Sequence, residues 1–156
     1  MTKIPALVVS AALAIGIATP APAGVNDPEV IIYRFPGVRD TGGADNSGVA
    51  TSFHCTNFSG ATESVRMVIR NDFGGLITNV LISIDHLQTI TRSTKLTVAY
   101  TDISLGSGFL AQGTIAIAAT SMNVICTAMT IDASTVAPVG VALRGIRFSP
   151  VPGSQE

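Results

Sequence analysis

The chain has 156 residues, a formal net charge of −1, only 12% charged residues, 47% hydrophobic residues and no tryptophan. So little charge, so nearly balanced, excludes a nucleic-acid binder, which needs a basic patch. It also excludes a strongly charged membrane-surface protein, and it leaves Val, Ile, Leu and Ala to build the core.

In chain order, the first element is a targeting signal. Lys3 gives a positive start, and the stretch from Ile4 to Ile17 is apolar apart from one Ser and one Pro. Thr19-Pro20-Ala21-Pro22-Ala23 then forms a small-residue Ala-x-Ala cleavage site, the order of a secretory signal peptide. The apolar run is shorter than the ~20 residues a spanning helix needs. Residues 1–23 are therefore expected to be a signal peptide and residues 24–156 one domain, of about 130 residues. The first cysteine is Cys55, far from the cleavage point, so no lipid anchor is expected. Later apolar stretches are interrupted by polar residues, so no membrane span is expected after signal removal. The implied location is secreted or periplasmic.

Glu29–Phe35 alternates, with Ile31, Tyr33 and Phe35 on one face, and reads as a strand ended by Pro36-Gly37. Gly37–Gly48 carries four glycines with Asp and Asn and reads as a surface loop. Val49–Asn57 is the first cysteine strand, with Val49, Thr51, Phe53 and Cys55 on one face. Glu63–Arg70 and Leu76–Asp85 flank Asn71-Asp72-Phe73-Gly74-Gly75 and predict a hairpin. In it Val65, Met67 and Ile69 face inward, Arg66 and Arg70 outward. His86–Ser93 reads as a polar connection. Thr94–Thr101 reads as a strand with Leu96, Val98 and Tyr100 on the apolar face and Lys95 and Thr97 opposite. Phe109–Ala119 is the next strand. Ser121–Asp132 is the second cysteine strand, with Met122, Val124, Cys126 and Ala128 in a row. Val139–Phe148, opened by Pro138, is the last.

Eight short strands with regular turn signals and no amphipathic helix predict an all-β fold. The expected form is an antiparallel, immunoglobulin-like β-sandwich, with a jelly roll or partly open barrel as the alternative. Two cysteines in an exported chain are expected to pair. Cys55 and Cys126 would then bolt two inward rows across the core, joining either the two sheets or two neighbouring strands. An immunoglobulin domain packs a tryptophan on its bridge; here Met67 and Ile69 are the stand-ins. Its tyrosine-corner position holds Val124.

The Gly/Asp loop, the Phe53-His54-Cys55-Thr56-Asn57 strand and the closing Val141–Pro150 segment resemble those of small secreted bacterial β-sandwich proteins of no assigned activity. The resemblance spans most of the mature chain. It implies a sandwich and export, and it carries no activity.

Several residue sets invite a site. Asp40-Thr41-Gly42 has the letters of an aspartic protease, whose paired carboxylates share a proton. Arg39 directly before it, and the glycines around it, read instead as a turn. Asp40, Asp45 and Asn46 are weak calcium candidates, short of the six to eight oxygens that ion takes. His54 and His86 with Met67, Met122 and Met129 have the ligand types for copper, but the methionines sit at core positions. Ser52, His54, Asp85 and His86 would make a hydrolase triad, but no Gly-x-Ser-x-Gly elbow is present. Arg66 and Arg70 are candidates for binding an anionic glycan or partner. Asn57-Phe58-Ser59 fits a glycosylation sequon and marks an exposed turn.

The expected function is that of an exported, non-enzymatic module without cofactor, catalytic residue or nucleic-acid partner. It would bind an extracellular or periplasmic protein or glycan through surface loops or a sheet face. The alternative is a pilin-type fibre subunit assembled by strand donation. Its wider cysteine spacing and its lack of a closing aromatic strand depart from that family. A small periplasmic hydrolase or metal protein stands third.

Overall fold

A computed structural model describes residues 28–148. The signal-peptide segment 1–23 lies outside the described residues. Ten strands form the fold, and no helix occurs among the described residues. They are β1 (Val30–Asp40), β2 (Val49–Asn57), β3 (Glu63–Asn71), β4 (Leu76–Ile84), β5 (Thr89–Ser93), β6 (Ile103–Ser104), β7 (Leu110–Ala119), β8 (Val124–Asp132), β9 (Val141–Ala142) and β10 (Ile146–Arg147). One five-stranded sheet runs β10-β1-β7-β3-β4 and the other β6-β5-β2-β8-β9. All pairs are antiparallel except β5 with β6.

The period-two rows that mark the strands in sequence become the two inner faces. Phe53, Met67, Ile69, Ile84, Ile115 and Ile117 are fully buried between the sheets. Phe35 bridges the layers, its ring centroid 6.3 Å from that of Phe53 and 5.6 Å from that of Tyr33. Branched aliphatics fill the rest, and Met67 and Ile69 share the core with both cysteines.

The disulfide between Cys55 and Cys126 forms, and of the two expected placements it takes the one between neighbouring strands, not the bolt across the core. The two residues face each other on adjacent strands, β2 and β8, of one sheet. Their Cα atoms are 4.1 Å apart, close to the ~4.5 Å of a non-hydrogen-bonded antiparallel pair. The bridge therefore clips neighbours, unlike the inter-sheet bridge of an immunoglobulin domain.

Three element boundaries also move. β1 passes through Pro36-Gly37 and reaches Asp40. Register shifts against β7 between Pro36 and Val38, and between Val38 and Asp40, absorb the missing proline N–H and the positive φ of Gly37. The expected strand Thr94–Thr101 is not a strand. The strand is β5, just before it, whose hydroxyls ladder with β2: Ser52 to Ser93 at 2.8 Å, His54 to Thr91 at 3.0 Å, Thr56 to Thr89 at 2.8 Å. Polar residues read as a connection thus make good cross-strand pairs. The last expected strand splits, because β9 pairs with β8 and β10 with β1, so the chain crosses between sheets.

A loop-end cleft built on a buried ion pair

The residues after β5 form a strap, 94–102, across the outside of the second sheet. Its backbone is held at both sides: Thr94 N–H donates to Thr51 O (2.9 Å), Leu96 N–H to Asp45 Oδ1 (2.8 Å) and Val98 N–H to Ala133 O (3.0 Å). Asn46, at φ 58°, returns an N–H to Leu96 O at 2.8 Å. The alternation of the strap is real, but its sides are reversed. Lys95 and Thr97 are buried, and Val98 is 41% exposed.

Burial of Lys95 requires a partner, and the end of β1 supplies it. Lys95 Nζ lies 2.8 Å from Asp40 Oδ1, with both side chains at most 6% exposed. The ammonium also donates to Gly43 O (2.7 Å) and Thr41 O (3.2 Å), so its three protons are all engaged. Ser107 donates to the other carboxylate oxygen, Asp40 Oδ2, at 2.9 Å. Behind the pair, Thr51 and Thr94 hydroxyls both donate to Arg39 O, at 3.0 and 3.1 Å. The loop 41–48 therefore folds back on its own root. Gly48 closes it at φ 64°, where an added Cβ would collide with the Thr41 carbonyl oxygen.

Above the pair opens a cleft of about 570 Å³ between the loop 41–48 and the segment around Gly106 and Gly108. Asp40, Thr41, Gly43 and Lys95 lie at its floor and flank, and Phe109 lines it while 79% exposed. The ring leaves a flat apolar surface open beside the cleft. Lys95, Ser107 and Phe109 were not legible as site residues. Lys95 alternates with Leu96, Val98 and Tyr100 and is expected opposite them; the partner that buries it, Asp40, lies 55 positions away in the chain.

The other candidates are placed as follows. Asp40 is spent on Lys95 and Ser107, Asp45 accepts from the Leu96 amide, and Asn46 uses its backbone on Leu96. They do not form a shared shell, and no group of three or more His, Cys, Asp or Glu side chains converges among the described residues. Asp40 ends a strand rather than sitting in a turn, so the Asp40-Thr41-Gly42 letters lack an exposed carboxylate. Ser52 bonds Ser93, His54 Nδ1 bonds Thr91, and Asp85 accepts from Thr62 at 2.8 Å, so the triad residues do not meet. His86 accepts the Gly60 N–H at 3.0 Å. Met67 is core, Met122 packs against it, and the sulfur of Met129 accepts from Tyr100 OH at 3.3 Å. His54 meets the Tyr100 ring edge-on at 4.6 Å. Burial pushes its imidazole below the ordinary value, partly opposed by the charge of Asp102.

Arg66 grips Glu29 with two bonds, at 2.6 and 3.1 Å, and Asn79 with a third at 3.0 Å. Those bonds to Glu29, and then its charge, raise the guanidinium further above its ordinary value. Arg70 reaches back to Gly74 O at 2.9 Å. Arg66 is thus already neutralised, and the two do not form an open anion site.

No family model and no curated protein matches the chain. A solved structure, that of Thermotoga maritima 1070, is similar with a TM-score of 0.48 and 12% identity over 77% of this chain and 96% of that one.

Proposed function

We propose that this chain is an exported, non-enzymatic β-sandwich module that holds a small uncharged polar ligand, a saccharide, in the loop-end cleft. The observation that carries the reading is the cleft itself: its ion pair is internally satisfied and an exposed aromatic, Phe109, lines it. With Lys95 saturated by Asp40 and two loop carbonyls, the lining holds no free cation to attract an acidic ligand, and the exposed Asp45 carboxylate repels one. Phe109 offers a flat apolar surface on which a pyranose ring can stack. Loop carbonyls and hydroxyls such as Ser104 supply polar contacts around it. The lining carries one exposed carboxylate, Asp45, whose Oδ1 accepts the Leu96 amide, with no imidazole and no second unpaired acid beside it, a set that supports a binding role over two-group acid–base hydrolysis.

Export is supported by the Lys3 to Ala23 pattern and by the disulfide, which persists in oxidising compartments. The resemblance to small secreted bacterial sandwich proteins agrees with both. The test is a glycan array of neutral and acidic saccharides, read with the wild type and Phe109→Ala. Binding to neutral glycans that Phe109→Ala removes supports the reading. Binding to acidic glycans alone, or binding untouched by Phe109→Ala, overturns it.

A further inference from the structure

β4 ends its sheet and pairs only with β3 among the described residues. Its nine residues, Leu-Ile-Thr-Asn-Val-Leu-Ile-Ser-Ile, contain no charge, no proline and no glycine. Edge strands are ordinarily guarded by lysines, prolines, bulges or short length. β10, at the other edge of the same sheet, has two residues. β4 has none of these guards over most of its length. Leu81 is 53% exposed, while Ile77 and Val80 are half-buried against the core.

Facing this edge, the second sheet contributes a charge that has no ion-pair partner among the described residues. Arg92 on β5 is the register partner of Phe53, so it stands on the inward face. Its Nε is buried and has no hydrogen-bond partner among the described residues. Thr78 Oγ1 donates to Leu105 O at 3.1 Å, which ties β4 to the residue just after β6 and places the two sheet edges opposite each other. A buried guanidinium N–H left unpaired is costly, and a carboxylate is the group that its fork geometry fits.

We propose that the free edge of β4 accepts an extended strand of a partner protein, and that a carboxylate on the inward face of that strand engages Arg92. Main-chain hydrogen bonds along β4 would supply affinity, and Arg92 the selection for an acid. A second copy of this chain fits poorly. Two β4 strands paired antiparallel are related by an axis perpendicular to the sheet. Both Arg92 side chains would then lie on the same side, and β4 has no acid to meet them. Neither β4 nor Arg92 lines the loop-end cleft, so either reading can fail alone.

The test uses the mature protein, isotope-labelled and disulfide-intact. The probe is a capped nine-residue peptide alternating valine and threonine with glutamate at its centre, inward with the valines. Its twin carries glutamine there. Titration followed by NMR should shift the β4 amides and the Arg92 Nε–H. The glutamate peptide should bind about tenfold more tightly than the glutamine peptide, the difference a charged hydrogen-bonded partner makes. Arg92→Gln should erase that preference and keep weak binding. Equal affinity for the two peptides on wild type, shifts confined to the Phe109 cleft, no binding, or self-association through β4 would each overturn the proposal. The wild-type comparison stands even where Arg92→Gln fails to fold.

Discussion

Lys95→Met is the most informative perturbation, because it breaks the contact that closes the loop. At 2.8 Å and an effective dielectric of about 20, the attraction between Lys95 and Asp40 is about 6 kcal/mol. Desolvation of two side chains at most 6% exposed cancels much of it. The intact pair therefore adds little net stability, yet losing one member strands the other. Lys95→Met leaves the Asp40 carboxylate with only the Ser107 hydroxyl, and leaves Gly43 and Thr41 carbonyls without their donor. The expected loss is about 3–5 kcal/mol, or about 10–20 °C in Tm for a domain of this size. Asp40→Leu should cost a similar amount. The double variant should lose less than the two together by about 1–3 kcal/mol, since neither charge is then stranded. Urea unfolding followed by circular dichroism, disulfide intact, measures all three. Single-variant losses under about 1 kcal/mol are what an exposed pair gives, and they would refute the buried-pair account.

Replacing Cys55 and Cys126 by Ala should cost about 2–5 kcal/mol, since the bridge spans a sequence separation of 71; two labelled thiols in unfolded, unreduced protein would count against the bridge. His54 sits below its ordinary 6.5 because of burial, so its contribution to stability is full above that pH. It declines as pH falls, because the unfolded chain takes up the proton first. His54→Gln should flatten this decline of stability below pH 6.5 while the disulfide still forms. Gly48→Ala should destabilise by about 1–3 kcal/mol, through its positive φ and the clash with the Thr41 carbonyl, read as a lowered urea midpoint. Mass spectrometry of the exported protein should find Gly24 at its N-terminus; a retained Met1 would contradict the signal-peptide reading. A purified chain that stays monomeric supports the module reading, whereas fibres would favour the strand-donating subunit.

Period-two alternation alone determined which residues become β2, β3, β4 and most of β7 and β8. It works there because each has one apolar face to hide, and a slip of one residue would expose it. The turn residues Asn71 to Gly75 likewise marked their hairpin through local backbone preference. Tertiary structure decided three other things. Lys95 turns inward because a carboxylate 55 positions away, Asp40, waits at the end of β1, and no local pattern records that partner. β5 forms from a polar stretch because β2 presents matching hydroxyls and His54 beside it. The bridge clips one sheet instead of joining two because strand order places β2 beside β8. Sequence shows that Cys55 and Cys126 both lie on apolar rows, but two rows on one sheet and two rows on facing sheets have the same pattern. Only the packing of the sheets separates them.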